Sequence, residues 1–286
     1  MTTPKLGFGT APILGRVGRR DSIAALEQAY ALGVRHFDTA RSYGWGEAEG
    51  LLGDFLKGRT RHECTIVTKC GIVPVKRSTA LSAAKTLARK VRDAVPSAAS
   101  LVRRAASFSR WQPTCTYDVR TLNESVETSL RELRTDYLDV LLLHSFDPIV
   151  AGLDDVATWF QRLQQRGSIA RYGFSIEGNL VEGLTCLRRY GVLDRAVVQA
   201  PVSETLFSLV PEWRDVPVFA HSALRFSAAS AISFGEILAR LGESCRCEVV
   251  VCSMFSKSHI DSNVAAAARA VAFGDGRQHA GASAGP

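Results

Sequence analysis

Eight short apolar runs punctuate this chain, and amphipathic stretches of helical periodicity separate most of them. The runs span 6–10, 36–40, 65–70, 138–145, 171–176, 196–201, 216–222 and 248–253. They are rich in Val, Ile, Leu and Phe, as strands buried on both faces are. Helical spacing of apolar residues fills 21–32, 47–56, 123–133, 154–165, 180–190, 230–241 and 260–271, and is less clear after the sixth run. Eight strand-then-helix alternations in one chain predict a single α/β domain over 1–286, a (β/α)8 barrel. A doubly wound sheet is the competing architecture, and it needs a phosphate loop. Gly7-x-Gly9 opens like one, but Pro12 stands where the third small residue belongs, and no G-x-x-x-x-G-K-[ST] occurs.

Composition narrows the class. Of 286 residues, 46% are hydrophobic and 22% charged, which excludes a disordered chain, a collagen-like fibre and a coiled coil. No run approaches the ~18 uncharged apolar residues of a membrane span, and the first twenty residues lack the apolar core of a signal peptide. A cytoplasmic location, away from membranes, is therefore expected. The seven cysteines form no C-x-x-C pair, and Cys245-x-Cys247 has no second pair to complete a zinc site. Reduced thiols and no metal are the expectation.

The formal charge is +7, yet it is local. Between Lys76 and Arg120 stand ten basic residues, opposed only by Asp93 and Asp118, and the remainder of the chain is near neutral. This argues against general nucleic-acid binding and for one basic patch. The patch falls in 73–120, a span too long for a plain loop. It reads as two inserted amphipathic helices with basic outer faces, Arg103 and Arg104 among them. A loop after a barrel strand lies on the C-terminal face, so this segment is a candidate lid for an anionic or carrier-tethered substrate, with a solvated helical face as the plainer reading. The last residues, 273–286, are small and polar and are expected to fray.

Three run ends carry ionisable residues that a barrel core would not choose: Asp38, Lys69 and His144. Tyr43 follows Asp38 in the loop RSYGWG. All four would converge on the barrel mouth. A lysine ammonium near a phenol favours its ionised form by about 4 kcal/mol at ~4 Å and an effective dielectric near 20, which lowers the phenol's pKa toward the range of efficient acid catalysis. Asp38 would hold Lys69 charged, and His144 would donate to a carbonyl oxygen. The set suits protonation of an oxyanion as a hydride arrives, and it has no hydride of its own, so a bound cofactor must bring one.

The segments FDTARSYGWGEAEGLLG, IVTKCG, SLRELRTDYLDVLLLHSFDP and YGFS occur in this order. Together they resemble the aldo-keto reductase superfamily over about residues 5–272. The resemblance implies a barrel that binds NADP(H), less often NAD(H), with a catalytic tetrad at Asp38, Tyr43 (the acid), Lys69 and His144. It implies Gly9 and Thr10 near the nicotinamide, Ser175 and Gln199 at its carboxamide, and His221 in the place of the usual stacking tyrosine. It further implies Ser222 and Leu224 at the pyrophosphate, Ser253 and Asn263 toward the adenosine, and Lys257 or His259 facing a 2′-phosphate. Two positions depart from the pattern: Ile176 replaces the usual asparagine, and the customary arginine near the eighth run is absent. Trp45, Trp111 and Phe146 are candidate pocket-wall aromatics, with core packing the alternative. The expected activity is hydride transfer between nicotinamide and the carbonyl of a small aldehyde, ketone or sugar-like substrate. Oxidation of an aldose or secondary alcohol, a non-catalytic coenzyme-binding subunit, and a Schiff-base aldolase using Lys69 are the alternatives.

Overall fold

A computed structural model describes residues 4–74, 115–148 and 153–281, with side chains described through residue 270. Eight strands, β1 (Lys5–Gly9), β2 (His36–Asp38), β3 (Thr65–Cys70), β4 (Leu138–Leu143), β5 (Ile169–Ser175), β6 (Ala196–Pro201), β7 (Val218–His221) and β8 (Cys247–Cys252), close into one barrel in chain order. Every neighbour pair is parallel, and β8 returns to pair with β1. Each strand overlaps its expected run.

The helices are α1 (Arg19–Ala31), α2 (Ala48–Leu56), α3 (Val119–Leu133), α4 (Leu153–Gln165), α5 (Leu180–Arg189), α6 (Glu204–Phe207), α7 (Ala223–Ser230), α8 (Phe234–Ser244) and α9 (Lys257–Gly281). Local chemistry sets several starts. Asp118 accepts a hydrogen bond from the Thr121 amide, which starts α3 four residues before its expected position. The expected helix over 230–241 starts four residues later, as α8, and an additional helix, α7, precedes it. Ala231 adopts a left-handed conformation (φ 56°) after α7, and Ser233 then caps α8 by accepting from the Glu236 amide. Helix α9 runs past 271 and into the segment expected to fray. Among the described residues, no helix is long and apolar enough to cross a membrane.

Side chains alternate along a strand, so the barrel has two apolar compartments. The strand-to-helix shell holds Phe37, Phe55, Phe160, Tyr172 and Phe174 among many others. The interior is a smaller cluster of Val67, Val140, Leu142, Val197, Phe219, Val249 and Val251. Each such side chain contributes about 1.5–3 kcal/mol by leaving water. Two residues beyond this apolar layer, on the same face of each strand, the chain places Lys69, His144, Gln199, His221 and Ser253. A floor of valines thus carries a ring of polar groups at the C-terminal mouth. The inserted segment leaves and returns there: Ile72 pairs antiparallel with Cys115, and the Thr116 amide donates to the Gly71 carbonyl at 2.8 Å. The expected lid helices, Arg103, Arg104 and Trp111 lie outside the described residues.

Candidate active site

Lys69 anchors the mouth. Its side chain is 2% exposed, and its ammonium donates to Asp38 Oδ1 at 2.6 Å and to the Thr39 carbonyl at 2.9 Å. Asp38 Oδ2 accepts in turn from Gln199 Nε2 at 2.6 Å. Both carboxylate oxygens of this buried acid are therefore occupied. Lys69 Nζ lies 4.9 Å from the centre of the Tyr43 ring, close enough for its charge to act on the phenol. The His144 ring meets Tyr43 edge-on, with centres 5.8 Å apart.

The loop RSYGWG aims Tyr43. Gly44, Trp45 and Gly46 all have positive φ, and a Cβ on Gly44 would come within 2.7 Å of the Ile13 carbonyl oxygen. Only glycine fits that position without strain. The loop is pinned from below by Glu49 of α2, a fully buried acid that accepts from Arg41 at 2.5 Å and from Thr68 Oγ1 at 2.6 Å. Arg41 stands two residues before Tyr43, and Thr68 stands one before Lys69. This one carboxylate ties the acid's loop to the lysine's strand.

Electrostatics divide the roles. Burial, the largest influence on Tyr43, pushes its pKa above the usual 10; the Lys69 charge pulls the other way without prevailing. This corrects the expectation of a net-acidified phenol, because the sequence displays the lysine but not the depth of burial. Tyr43 therefore carries its proton at neutral pH. Burial likewise opposes the charge on Lys69, but Asp38 and Tyr43 together hold its pKa above the usual value. Burial, with Lys69 adding to it, drives His144 down to about 3, so its ring is neutral and donates a single N–H. Its Nδ1 is buried without a partner.

A cavity of about 380 Å³ opens beside this group. Its lining includes Gly9, Asp38, Tyr43, Gln199, His221, Ser222, Leu224 and Ser253, all expected site residues. Arg16, Glu177 and Arg225 also line it; the sequence reading missed them. Arg225 donates to Ser222 Oγ at 3.1 Å, and Ser222 Oγ also meets His221 Nδ1 at 3.0 Å. Two exposed guanidiniums, Arg16 and Arg225, a serine beside Arg225, and the bare Gly9 backbone in one lining fit a ligand with phosphates and a flat ring. The buried, unpartnered Thr10 Oγ1 adds a free polar group next to Gly9. The donor set thus fits a nicotinamide dinucleotide.

The remaining expected residues are distributed as follows. Ser175 is fully buried at the end of β5, 3.5 Å from Glu177 Oε1. Lys257 and His259 are exposed in the first turn of α9, and Asn263 is buried there, donating to Met254 Sδ at 3.7 Å. Trp45 sits in the Tyr43 turn, outside the cavity lining. Phe146 is corrected to a core residue: it is 4% exposed and packs edge-on to Phe174 in the helix-side shell. Ser145, with φ 51°, breaks the strand alternation that would have turned Phe146 inward. All cysteines among the described residues, Cys64, Cys70, Cys115, Cys186, Cys245, Cys247 and Cys252, are free thiols. No cluster of metal-ligating side chains occurs among the described residues.

Fold and site define a (β/α)8 barrel with a buried Asp–Lys pair, a tyrosine and a histidine at its mouth beside an open groove. Residues 5–231 match the model of the aldo/keto reductase family, and the chain belongs to that family of NAD(P)-dependent oxidoreductases. Among curated proteins, it is 22% identical to L-galactose dehydrogenase of Arabidopsis thaliana, over 91% of this chain and 83% of that protein. It is 25% identical to the NADH-specific methylglyoxal reductase of Escherichia coli, over 71% and 56%. It is 27% identical to the uncharacterized oxidoreductase YqkF of Bacillus subtilis, over 57% and 43%. The alignments with the last two span less than two thirds of those relatives. Among solved structures, the fold is shared with the holo form of an aldo-keto reductase from Bacillus halodurans, at a TM-score of 0.66, 21% identity and coverage of 92% and 86%. It is also shared with an aldo-keto reductase from Klebsiella pneumoniae in complex with NADPH, at a TM-score of 0.63, 21% identity and coverage of 93% and 86%.

Proposed function

We propose that this protein reduces the carbonyl of a small aldehyde, ketone or sugar-like substrate with NADPH, and that Tyr43 is the general acid. NADH is the alternative coenzyme. The observation that carries the reading is the protonated Tyr43 held against a buried, charged Lys69 beside a groove lined by Arg16, Arg225 and Ser222. The coenzyme, when bound, supplies the hydride. The carbonyl oxygen accepts from the neutral His144 ring, and as the hydride arrives it takes the proton from Tyr43 Oη. Lys69 stabilises the resulting phenolate by about 3 kcal/mol across 4.9 Å at an effective dielectric near 20. Asp38 keeps Lys69 charged, and solvent returns the proton to Tyr43. Gly9, Thr10, Ser175, Gln199 and His221 would hold the nicotinamide end; Ser222, Leu224, Arg16 and Arg225 would hold the pyrophosphate. Ser253, Lys257, His259 and Asn263 would reach the adenosine end.

Run backward, the same groups oxidise a secondary alcohol or an aldose, and the likeness to a dehydrogenase of a sugar keeps that direction in view. A Schiff-base role for Lys69 is disfavoured, because its amine stays protonated and its counter-charge, Asp38, is in place at 2.6 Å. Free thiols throughout support a reducing, cytoplasmic location. The decisive experiment is Tyr43→Phe. NADPH should still quench the tryptophan fluorescence, while reduction of a broad carbonyl panel falls by about 10²–10⁴. Undiminished turnover in that variant refutes the acid's identity; coenzyme binding without wild-type turnover of any carbonyl points to a binding subunit.

A further inference from the structure

Glu177 follows β5 and has no part in the proton transfer just described, yet its carboxylate lines the same cavity as Asp38, Tyr43 and Gln199. Its side chain is 49% exposed, so it is free to meet a ligand, and Oε1 stands 3.4 Å from His221 Nε2. Its charge is felt at the reacting groups: it acts on the protonation of both Tyr43 and His144. Asp38 and Lys69 cancel each other at 2.6 Å, and His144 is neutral. His221, the nearest ring, holds the Glu177 carboxyl below the usual carboxylate range, so it is ionised throughout the neutral pH range. Arg16 and Arg225, the other charged residues of the lining, are the groups assigned above to the coenzyme phosphates.

We propose that Glu177 determines the charge selectivity of the site: it favours carbonyl substrates that carry a cationic or hydrogen-bond-donating substituent and disfavours those that carry a carboxylate or phosphate. The inference rests on the carbonyl-reductase reading and deepens it. It also opposes the anionic substrate that the basic segment over 73–120 suggests, since the carboxylate lies beside the acid itself. One carboxylate at the rim of a half-solvated cavity discriminates by roughly tenfold, equivalent to about 1.4 kcal/mol.

The test compares three benzaldehydes of similar shape, with a para carboxylate, nitro or trimethylammonium group, at saturating NADPH and pH 7.5. Wild-type protein should favour the cation over the anion in kcat/KM, chiefly through KM, and the preference should shrink as salt rises from 50 to 500 mM. Glu177→Gln should lower the cation-to-anion ratio about tenfold, and Glu177→Lys should invert it, with NADPH quenching used to verify the fold of each. The salt series on wild-type protein carries the test even if a variant fails to fold. A wild-type ratio of one, or a ratio unmoved by salt and by both variants, overturns the inference and leaves the reductase reading intact. Absence of turnover of all three aldehydes by wild-type protein overturns the inference, and absence of turnover across the broad carbonyl panel overturns the reductase reading with it.

Discussion

Asp38→Asn isolates the electrostatic economy of the mouth. The substitution keeps an oxygen for Gln199 to donate to, but leaves the Lys69 ammonium with no counter-charge at 2% exposure. Across 2.6 Å the gross attraction is about 6 kcal/mol at an effective dielectric near 20, and orphaning one member of a buried pair costs about 3–5 kcal/mol. The lysine sets its own ceiling, because it sheds its proton when holding it becomes dearer. Starting from the ordinary value of 10.5, neutral lysine at pH 7 costs about 4.8 kcal/mol, and at pH 9 about 2 kcal/mol. In the wild-type chain the Lys69 pKa is raised, so its stabilisation is complete below 10.5 and lost only as pH rises through the higher folded value; that reference is flat from pH 7 to 9. The variant should therefore lose about 3–5 kcal/mol at pH 7 and about 2 kcal/mol at pH 9, read from urea midpoints at both pH values. Asp38→Asn combined with Lys69→Met should recover more than half of the loss at pH 7. A loss below ~1 kcal/mol at pH 7, or one of equal size at both pH values, refutes the reasoning.

Gly44→Ala should cost about 1–3 kcal/mol through its positive φ, and should lower kcat more than NADPH affinity, because the strain falls next to Tyr43. Glu49→Gln should lower both the thermal midpoint and kcat, as Arg41 loses its buried counter-charge; a stable variant with normal kcat would remove Glu49 from the support of the Tyr43 loop. Burial holds His36 at about 4 and His144 at about 3, both below the usual 6.5. The unfolded chain therefore binds more protons than the folded one between those values, and stability should fall as pH drops below ~6.5. The slope approaches about 2.7 kcal/mol per pH unit near pH 5, and urea midpoints over pH 4.5–7 would show it. Because the pKa of Tyr43 lies above 10, kcat/KM for reduction should stay flat through pH 7–9; a fall centred near 7 would contradict its assignment as a buried, protonated acid.

The strands were legible because a strand buried on both faces has no polar residue to hide behind, and Asp38, Lys69 and His144 stood out against that background. Their shared orientation follows from parity alone, two residues beyond Val67 for Lys69 and beyond Leu142 for His144. What stayed hidden depends on tertiary placement. Arg16, Glu177 and Arg225 lie in loops or at a helix start, where no periodicity says which way a side chain turns. Glu49 reads as an ordinary helix-surface acid, and only the approach of Arg41 and Thr68 makes it a buried tie. Phe146 took its core alternative because the left-handed Ser145 ends the strand's alternation just before it, a backbone turn that residue types do not display. The pKa of Tyr43 misled because a sequence shows charges and conceals desolvation.

The antiparallel bridge between Ile72 and Cys115 has an architectural consequence. Ile72 and Cys115 face each other across one backbone bridge, and the Thr116 amide donates to the Gly71 carbonyl beside it, so the chain leaves β3 and returns toward α3 at a single point on the rim. That clasp fixes the two ends of the excursion at the rim of the barrel, whatever its length.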